Sequence, residues 1–290
     1  MQLFVDACVQ GIMIGAVFAL IALGLAVIQA VSGVLNFAHG HLVVLAMYLA
    51  VIAKDVAGLD PYVSFFLIVP VMFVVGMALY LLIFRRLTGS HVLTAIQATL
   101  GLVFLIEGLL LITQGGQFKR IETAIDAKAM SLGPVHVEAK EFIAFAVALA
   151  ASAVLFYTLS RTGYGRSIRA VLQNPRGAQL VAVNINRVRL VTFGLGVALA
   201  GAAGVLLVPG SSVHPSQGLG YTVFAILAYF IGGPGNLLGT FFAALLLGLS
   251  ESLGAIYLPD AYGFILPYII VVVVILLRPQ GLFGQKGMAR

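Results

Sequence analysis

Charge is scarce in this 290-residue chain: only 9% of its residues are Asp, Glu, Lys or Arg, while 61% are hydrophobic. Soluble domains carry about 25% charged residues, so a water-soluble fold is excluded. The single cysteine, Cys8, excludes an intrachain disulfide and a cysteine-based metal cluster. There is no G-x-x-x-x-G-K-[ST] phosphate loop and no H-E-x-x-H, so ATP hydrolysis by this chain is excluded and no metal-ligand spacing is present. His39 and His41 are two residues apart, which on a helix points them to different faces. No nucleophile–base pair stands out, so neither catalysis nor a cofactor in this chain is expected. No basic residue precedes Lys54, so the first apolar run lacks the positive flank of a signal peptide and is expected to remain as structure.

What the chain has is long apolar runs. They cover residues 3–29, 34–53, 62–84, 92–113, 141–160, 190–208, 221–231, 237–258 and 262–277. Most are ~20 residues long, the length that crosses a ~30 Å hydrocarbon core at 1.5 Å per residue. The ~10-residue alternation of barrel strands is absent. The expected fold is all-α: one polytopic transmembrane helical bundle over residues 1–290, with eight or nine spans. The count turns on whether the segments starting at residues 34 and 221 cross fully or re-enter.

The few charges are sorted. Arg85 and Arg86, the six arginines of 161–189, and Arg278, Lys286 and Arg290 make eleven basic residues in three regions without an acid. Alternating the spans sends Lys54, Lys119, Arg120, Lys128 and Lys140 to the other face. The same alternation sends Asp6, Asp55, Asp60, Glu122, Asp126, Glu138, Glu141 and Asp260 there as well. The positive-inside rule makes the eleven-residue face cytoplasmic, with the C-terminus inside. Topology therefore accounts for the net charge of +6, and nucleic acid is not needed as a partner.

Within 161–189 the pattern predicts two short helices. One covers 164–173 with Arg166 and Arg169 three apart. Asn174 ends it, and Pro175 starts a second that runs to about residue 183, carrying Arg176 and Gly177. Two readings stay open for this island: an interfacial anchor to anionic lipid headgroups, or a docking element for another protein. Near residue 36, Asn36, Phe37, His39, Gly40 and His41 follow Gly33, which predicts a broken helix. Irregular backbone at membrane depth needs cover from protein or a water-filled cavity, and broken helices commonly line transport paths. Gly233, Gly235 and Asn236, with Pro234, look like a counterpart. Val17-Phe18-Ala19 precedes Asn36 and Val223-Phe224-Ala225 precedes Asn236, which suggests an internal pseudo-repeat. Glu107 and Glu251 are acids inside spans. They are expected to bond polar groups of a neighbour or to serve a proton-coupled carrier, with Ser250 and Ser252 available to satisfy Glu251 locally. Gly194, Gly201 and Gly204 give small-x-x-x-small spacings for close helix contact.

At this point a resemblance enters. GVLNFAHGHLVVLAMYLA (33–50), the run GRSIRAVLQNPRGAQLVAVNINRVRLVTFGLGVALAGAAGVLL (165–207), FIGGPGNLLGTFFAALLLGLSESL (230–253) and LLRPQGLFG (276–284) occur in this order. Together they resemble the inner-membrane permease family of bacterial branched-chain amino acid ABC importers, most closely its H-type subunit. The resemblance implies a multi-pass subunit of the bacterial inner membrane. Its partners would be a second, M-type permease, two cytoplasmic ATPases and a periplasmic solute-binding protein. It makes 161–189 the ATPase-coupling loop, with Gly165, Arg166, Arg169, Asn174, Pro175, Arg176 and Gly177 at its heart. It leaves 114–140 as an external loop for the binding protein. Related permeases carry urea, short amides and other small organic solutes. A proton-coupled carrier using Glu107 and Glu251, or a membrane scaffold, remains as an alternative on the residues alone.

Overall fold

The computed structural model describes residues 2–121, 123, 129–132, 135–258 and 265–284. Glu122, Asp126, Lys128, Asp260, Lys286 and Arg290 lie outside the described residues, so their assignment to a face is not addressed by the fold.

Two helices form the axis of the bundle: α1 (Gln2–Ser32) and α9 (Ile185–Leu207). Glycines let them touch. A Cβ on Gly196 would stand 2.6 Å from the Gly24 carbonyl oxygen and 2.5 Å from Ile28 Cγ1, so only hydrogen fits there. In lipid there is no hydrophobic drive between helices, and such close approach supplies the packing instead. The other glycines of α9 do the same work with other partners. Gly194 meets Phe73 and Met77, Gly201 meets Met72, and Gly204 meets the backbone of Val43. The small-residue pattern is thus used within this subunit.

α3 (Pro61–Leu79) continues through a π-turn (Tyr80–Phe84) and α4 (Arg85–Leu87) as a single span antiparallel to α9. Asp60 caps its start by accepting from the Tyr62 amide at 3.0 Å. The Phe84 ring packs on Phe193 with centroids 4.4 Å apart. α11 (Leu237–Tyr257) runs antiparallel to α1, with Ser252 donating to the Ala7 carbonyl and Gly248 against Gly15. α5 (Val92–Gln114) and α6 (Ala139–Arg161) lie outside this axis. Between them β1 (Ala129–Leu132) and β2 (Val135–Glu138) pair antiparallel, and Lys119 forms an isolated antiparallel bridge with Val213.

Seven described helices are long and apolar enough to cross a membrane. α10 (Gly218–Gly232, 15 residues) and α12 (Leu266–Leu277, 12 residues) are shorter. The chain is therefore a polytopic all-α membrane protein, and the expected eight or nine crossings correspond to seven full-length helices plus these two.

The basic regions share one end of the bundle. Arg189 Nε donates to the Val31 carbonyl at 3.0 Å, tying the start of α9 to the end of α1. Arg85 and Arg189 both lie beside Tyr80. The tail residue Phe283, the turn before α11, and Arg169 line one groove. Glu138, Glu141, Glu251 and Gln10 gather at the opposite end.

Candidate functional site

The basic loop folds as two helices, α7 (Gly163–Gln173) and α8 (Pro175–Leu180), close to the expected bounds. Each is capped from its own sequence. The Thr162 hydroxyl accepts from Gly165 N at 3.2 Å, and the Asn174 side chain accepts from Gly177 N at 2.9 Å. Such caps satisfy amides that have no partner inside the helix. α8 ends at Leu180, and in the turn after it Ala182 takes a φ of 61°, the left-handed conformation.

α7 is bolted to the spans. A Cβ on Gly165 would overlap the Leu159 carbonyl oxygen, so glycine seats α7 directly on the last turn of α6. The Arg169 guanidinium donates to that same Leu159 oxygen, which places positive charge at a helix C-terminus. The Tyr164 hydroxyl donates to Val188 O at 2.9 Å and bonds Thr192 Oγ1 at 2.7 Å. Burial pushes the Tyr164 phenol above its ordinary pKa, so it stays a donor. Beneath the pair, Val31, Ile168, Val171, Ala178, Ile185 and Val188 form a small core of their own. Outward, Leu180 and Val181 are 89% and 71% exposed. Arg166 and Arg169 are both exposed, and Arg169 is also held by the backbone of α6.

The predicted break is real: residues 33–38 are non-helical and α2 (His39–Ala57) starts at His39. His39 Nε2 lies 3.0 Å from the Ile21 carbonyl oxygen. Ile21 is eleven residues before the end of α1, about 16 Å at 1.5 Å per residue. The chain therefore leaves α1 at the basic end and turns back into the bundle before α2 begins. Asn36 closes this turn by accepting from Ala38 N at 3.0 Å. Asn36, His39 and His41 are essentially inaccessible, so protein covers the break.

α10 begins inside the bundle as well, approached from the opposite end. Its first turn meets that of α2. A Cβ on Gly218 would reach the His41 ring at 2.5 Å, while Gly40 N donates to Thr222 Oγ1 at 2.9 Å. The Thr222 hydroxyl in turn donates toward Phe37 O and Gly218 O. From this junction α2 runs to one end and α10 to the other. Glu107 of α5 closes the junction from outside. Ser216 Oγ donates to Glu107 at 2.6 Å, and His41 Nε2 stands 3.5 Å from its other oxygen. Glu107 thus bonds neighbouring elements, as expected.

Gly233, Gly235 and Asn236 sit elsewhere, in the turn between α10 and α11 at the basic end. Gly233 and Gly235 take φ of 92° and 84°. Asn236 caps α11 through Gly239 N at 2.9 Å and donates to the tail at Phe283 O at 3.0 Å. Leu282 N donates to Ile231 O at 2.7 Å. The Asn36 and Asn236 breaks are alike in sequence, but Asn36 closes a turn and caps no helix whereas Asn236 caps α11, and the two lie at different depths. In space, the partner of the 33–38 break is the 211–217 segment that leads into α10. Phe18 and Phe224, taken as a repeated pair, touch each other with centroids 4.4 Å apart.

Glu251 departs from expectation. Ser250 Oγ donates to Leu247 O at 2.7 Å and Ser252 Oγ to Ala7 O at 2.8 Å, so neither neighbouring serine donates to the carboxylate. Serines inside helices commonly bond back to the preceding turn. Glu251 instead lines two cavities.

The sequence matches the family described as branched-chain amino acid transport system / permease component over residues 7–275. The chain belongs to this family. This permease is 27% identical to the high-affinity branched-chain amino acid transport system permease protein BraD of Pseudomonas aeruginosa, over 99% of this chain and 98% of that one. It is 26% identical to the corresponding protein LivH of Escherichia coli, over 99% and 97% of the two chains. The ribose import permease protein RbsC of Escherichia coli is 27% identical over 90% of this chain and 82% of its own. No solved structure matches.

The four runs that carry the resemblance fall on the permease's junctions: the re-entrant turn, the α7–α8 pair with α9, the turn before α11, and the tail beneath it. Sequence reasoning missed Tyr164, Arg189, Ser216 and Thr222. Each works through a contact far along the chain, 24 to 185 residues away, which no local pattern signals.

Proposed function

We propose that this permease is one membrane subunit of a binding-protein-dependent ABC importer that moves branched-chain amino acids into the cell. Separate cytoplasmic ATPases supply the energy, a second M-type permease completes the membrane core, and a periplasmic binding protein delivers the solute. The reading is carried by one observation: a capped, bolted pair of helices in an acid-free island that exposes Leu180 and Val181. A mere loop would have little reason to present two large apolar side chains, and a partner's groove would cover them. It is contiguous exposed apolar surface that marks contact sites, and Leu180 and Val181 are adjacent.

The positive-inside rule turns the basic end to the cytoplasm. That puts α7, α8 and the Arg278 tail with the ATPases, and the start of α1 and the 114–140 segment with the binding protein. Motion of the ATPases would reach the spans through Tyr164 and the core under α7, which join it to α1 and α9. The solute assignment rests on the full-length likeness to BraD and LivH. The test is reconstitution with the neighbouring permease, ATPases and binding protein. ATP-driven leucine uptake that survives a collapsed proton gradient supports the reading. Uptake that needs the gradient and ignores ATP refutes it in favour of a carrier.

A further inference from the structure

A cavity of about 480 Å³ lies between α10, α11 and α12, against the face of α1. That is the size range of small-molecule pockets, ~300–1,000 Å³. Its lining is divided. Phe18, Phe224 and Leu227 are its apolar lining, and Glu251, Tyr221 and Tyr268 are lining residues with polar ends. The Glu251 carboxylate makes no hydrogen bond among the described residues, because its two neighbouring serines are spent on backbone carbonyls. The Tyr221 and Tyr268 hydroxyls make none either among the described residues. An acid within a membrane span is costly unless a partner or a polar cavity compensates it, and no described residue hydrogen-bonds this one.

We propose that this cavity is a transit subsite for a small zwitterionic amino acid with an aliphatic side chain. The inference rests on the importer reading above and adds where in this chain the solute is held. Glu251 accepts from the ammonium group. The two tyrosine hydroxyls donate to the carboxylate. Phe18, Phe224 and Leu227 cover the aliphatic side chain. A carboxylate is acceptor-only and a phenol is the matching donor, so the lining is complementary to both ends of the zwitterion. An acyl chain of a lipid would fit the apolar wall and ignore Glu251, which gives the experiment a clear competitor. The cavity adjoins the α2–α10 junction through Ser216, which lines it and bonds Glu107. Emptying or filling it would thus be felt where the two half-buried helices start.

The test uses the complete reconstituted importer, with one binding protein in every arm, and measures leucine and valine uptake. Glu251→Gln is expected to lower uptake of both about tenfold with the ATPases still retained, as loss of a charge-assisted bond does. Leu227→Phe narrows the apolar wall and is expected to lower the leucine-to-valine ratio about tenfold, the scale of one methylene in a pocket. Because the binding protein is unchanged, an altered ratio must come from this chain. Wild-type uptake in assembled Glu251→Gln, or an unchanged ratio in assembled Leu227→Phe, overturns the subsite. If the wild-type complex itself imports neither amino acid, the importer reading fails instead.

Discussion

Gly165→Ala tests whether α7 must sit directly on α6. The added Cβ would stand 2.6 Å from the Thr158 carbonyl oxygen and 2.5 Å from the Leu159 carbonyl carbon. An ordinary C···O contact is about 3.3 Å, so the first of these is roughly 0.7 Å too close. Both obstacles are backbone, so no rotamer change relieves them. Overpacking of this kind costs about 1–3 kcal/mol, and the cheapest relief is for α7 to lift. Lifting strains the Thr162 cap, worth about 1 kcal/mol, and the two bonds of the Tyr164 hydroxyl, each worth about 0.5–1.5 kcal/mol. A net loss of about 2 kcal/mol shifts the seated population roughly 30-fold, at 1.4 kcal/mol per decade. Uptake in proteoliposomes should fall at least severalfold, and limited proteolysis should cut the 161–189 segment faster. Gly163→Ala is the internal control, since the nearest atom to its added Cβ is the mobile end of Arg166 at 3.5 Å. It should behave as wild type. Wild-type uptake and protease resistance in Gly165→Ala would show that direct seating of α7 has no bearing on coupling.

Three further outcomes are expected. Glu107→Leu leaves Ser216 and His41 facing an apolar side chain, and should destabilise the purified protein by about 1.5–3 kcal/mol, the worth of bonds to a charged group, read as a lowered melting temperature; Glu107→Gln should retain most of that stability and leave uptake insensitive to a collapsed proton gradient. Asn236→Ala removes both a helix cap and the hold on the tail, so it should cost about 0.5–2 kcal/mol and expose the segment after Arg278 to protease. Gly196→Val inserts an isopropyl group where α1 and α9 cross, and should abolish recovery of folded protein from the membrane, whereas Gly210→Val, which has open space around it, should not.

The long apolar runs were legible because lipid leaves the backbone few choices, and nearly every span edge falls within a few residues of the pattern. The α7–α8 pair was legible for a local reason: Asn174 as a helix end and Pro175 as a helix start mark the boundary between them, whereas the caps by Thr162 and by the Asn174 side chain came only with the structure. The break at 33–38 could be seen in its glycine and polar residues, but not its destination. His39 finds Ile21, and Gly40 finds Thr222, only in three dimensions. The turn at Gly233–Asn236 reads like a second break of the same kind, yet positive φ and a tail contact make it an end-of-bundle clasp. Glu251 illustrates a limit of proximity arguments. Ser250 and Ser252 are adjacent in sequence, but a serine on a helix prefers the carbonyl one turn back or a crossing helix.

The meeting of α2 and α10 also bears on how the protein is made. Gly40 depends on a hydroxyl 182 residues downstream, and the Phe37 carbonyl on the same hydroxyl 185 residues away. When α2 first leaves the ribosome, those partners do not yet exist. Until Thr222 is synthesised, the Gly40 amide and the Phe37 carbonyl lack the bonds they make in the finished protein. A chain truncated after α9 would keep α1, α3, α5 and α9 beside α2 and still lack α10, with the hydroxyl that the first turn of α2 bonds. Late synthesis of α10 thus acts as a completeness check, since the early half cannot reach its final arrangement unless the late half has been translated.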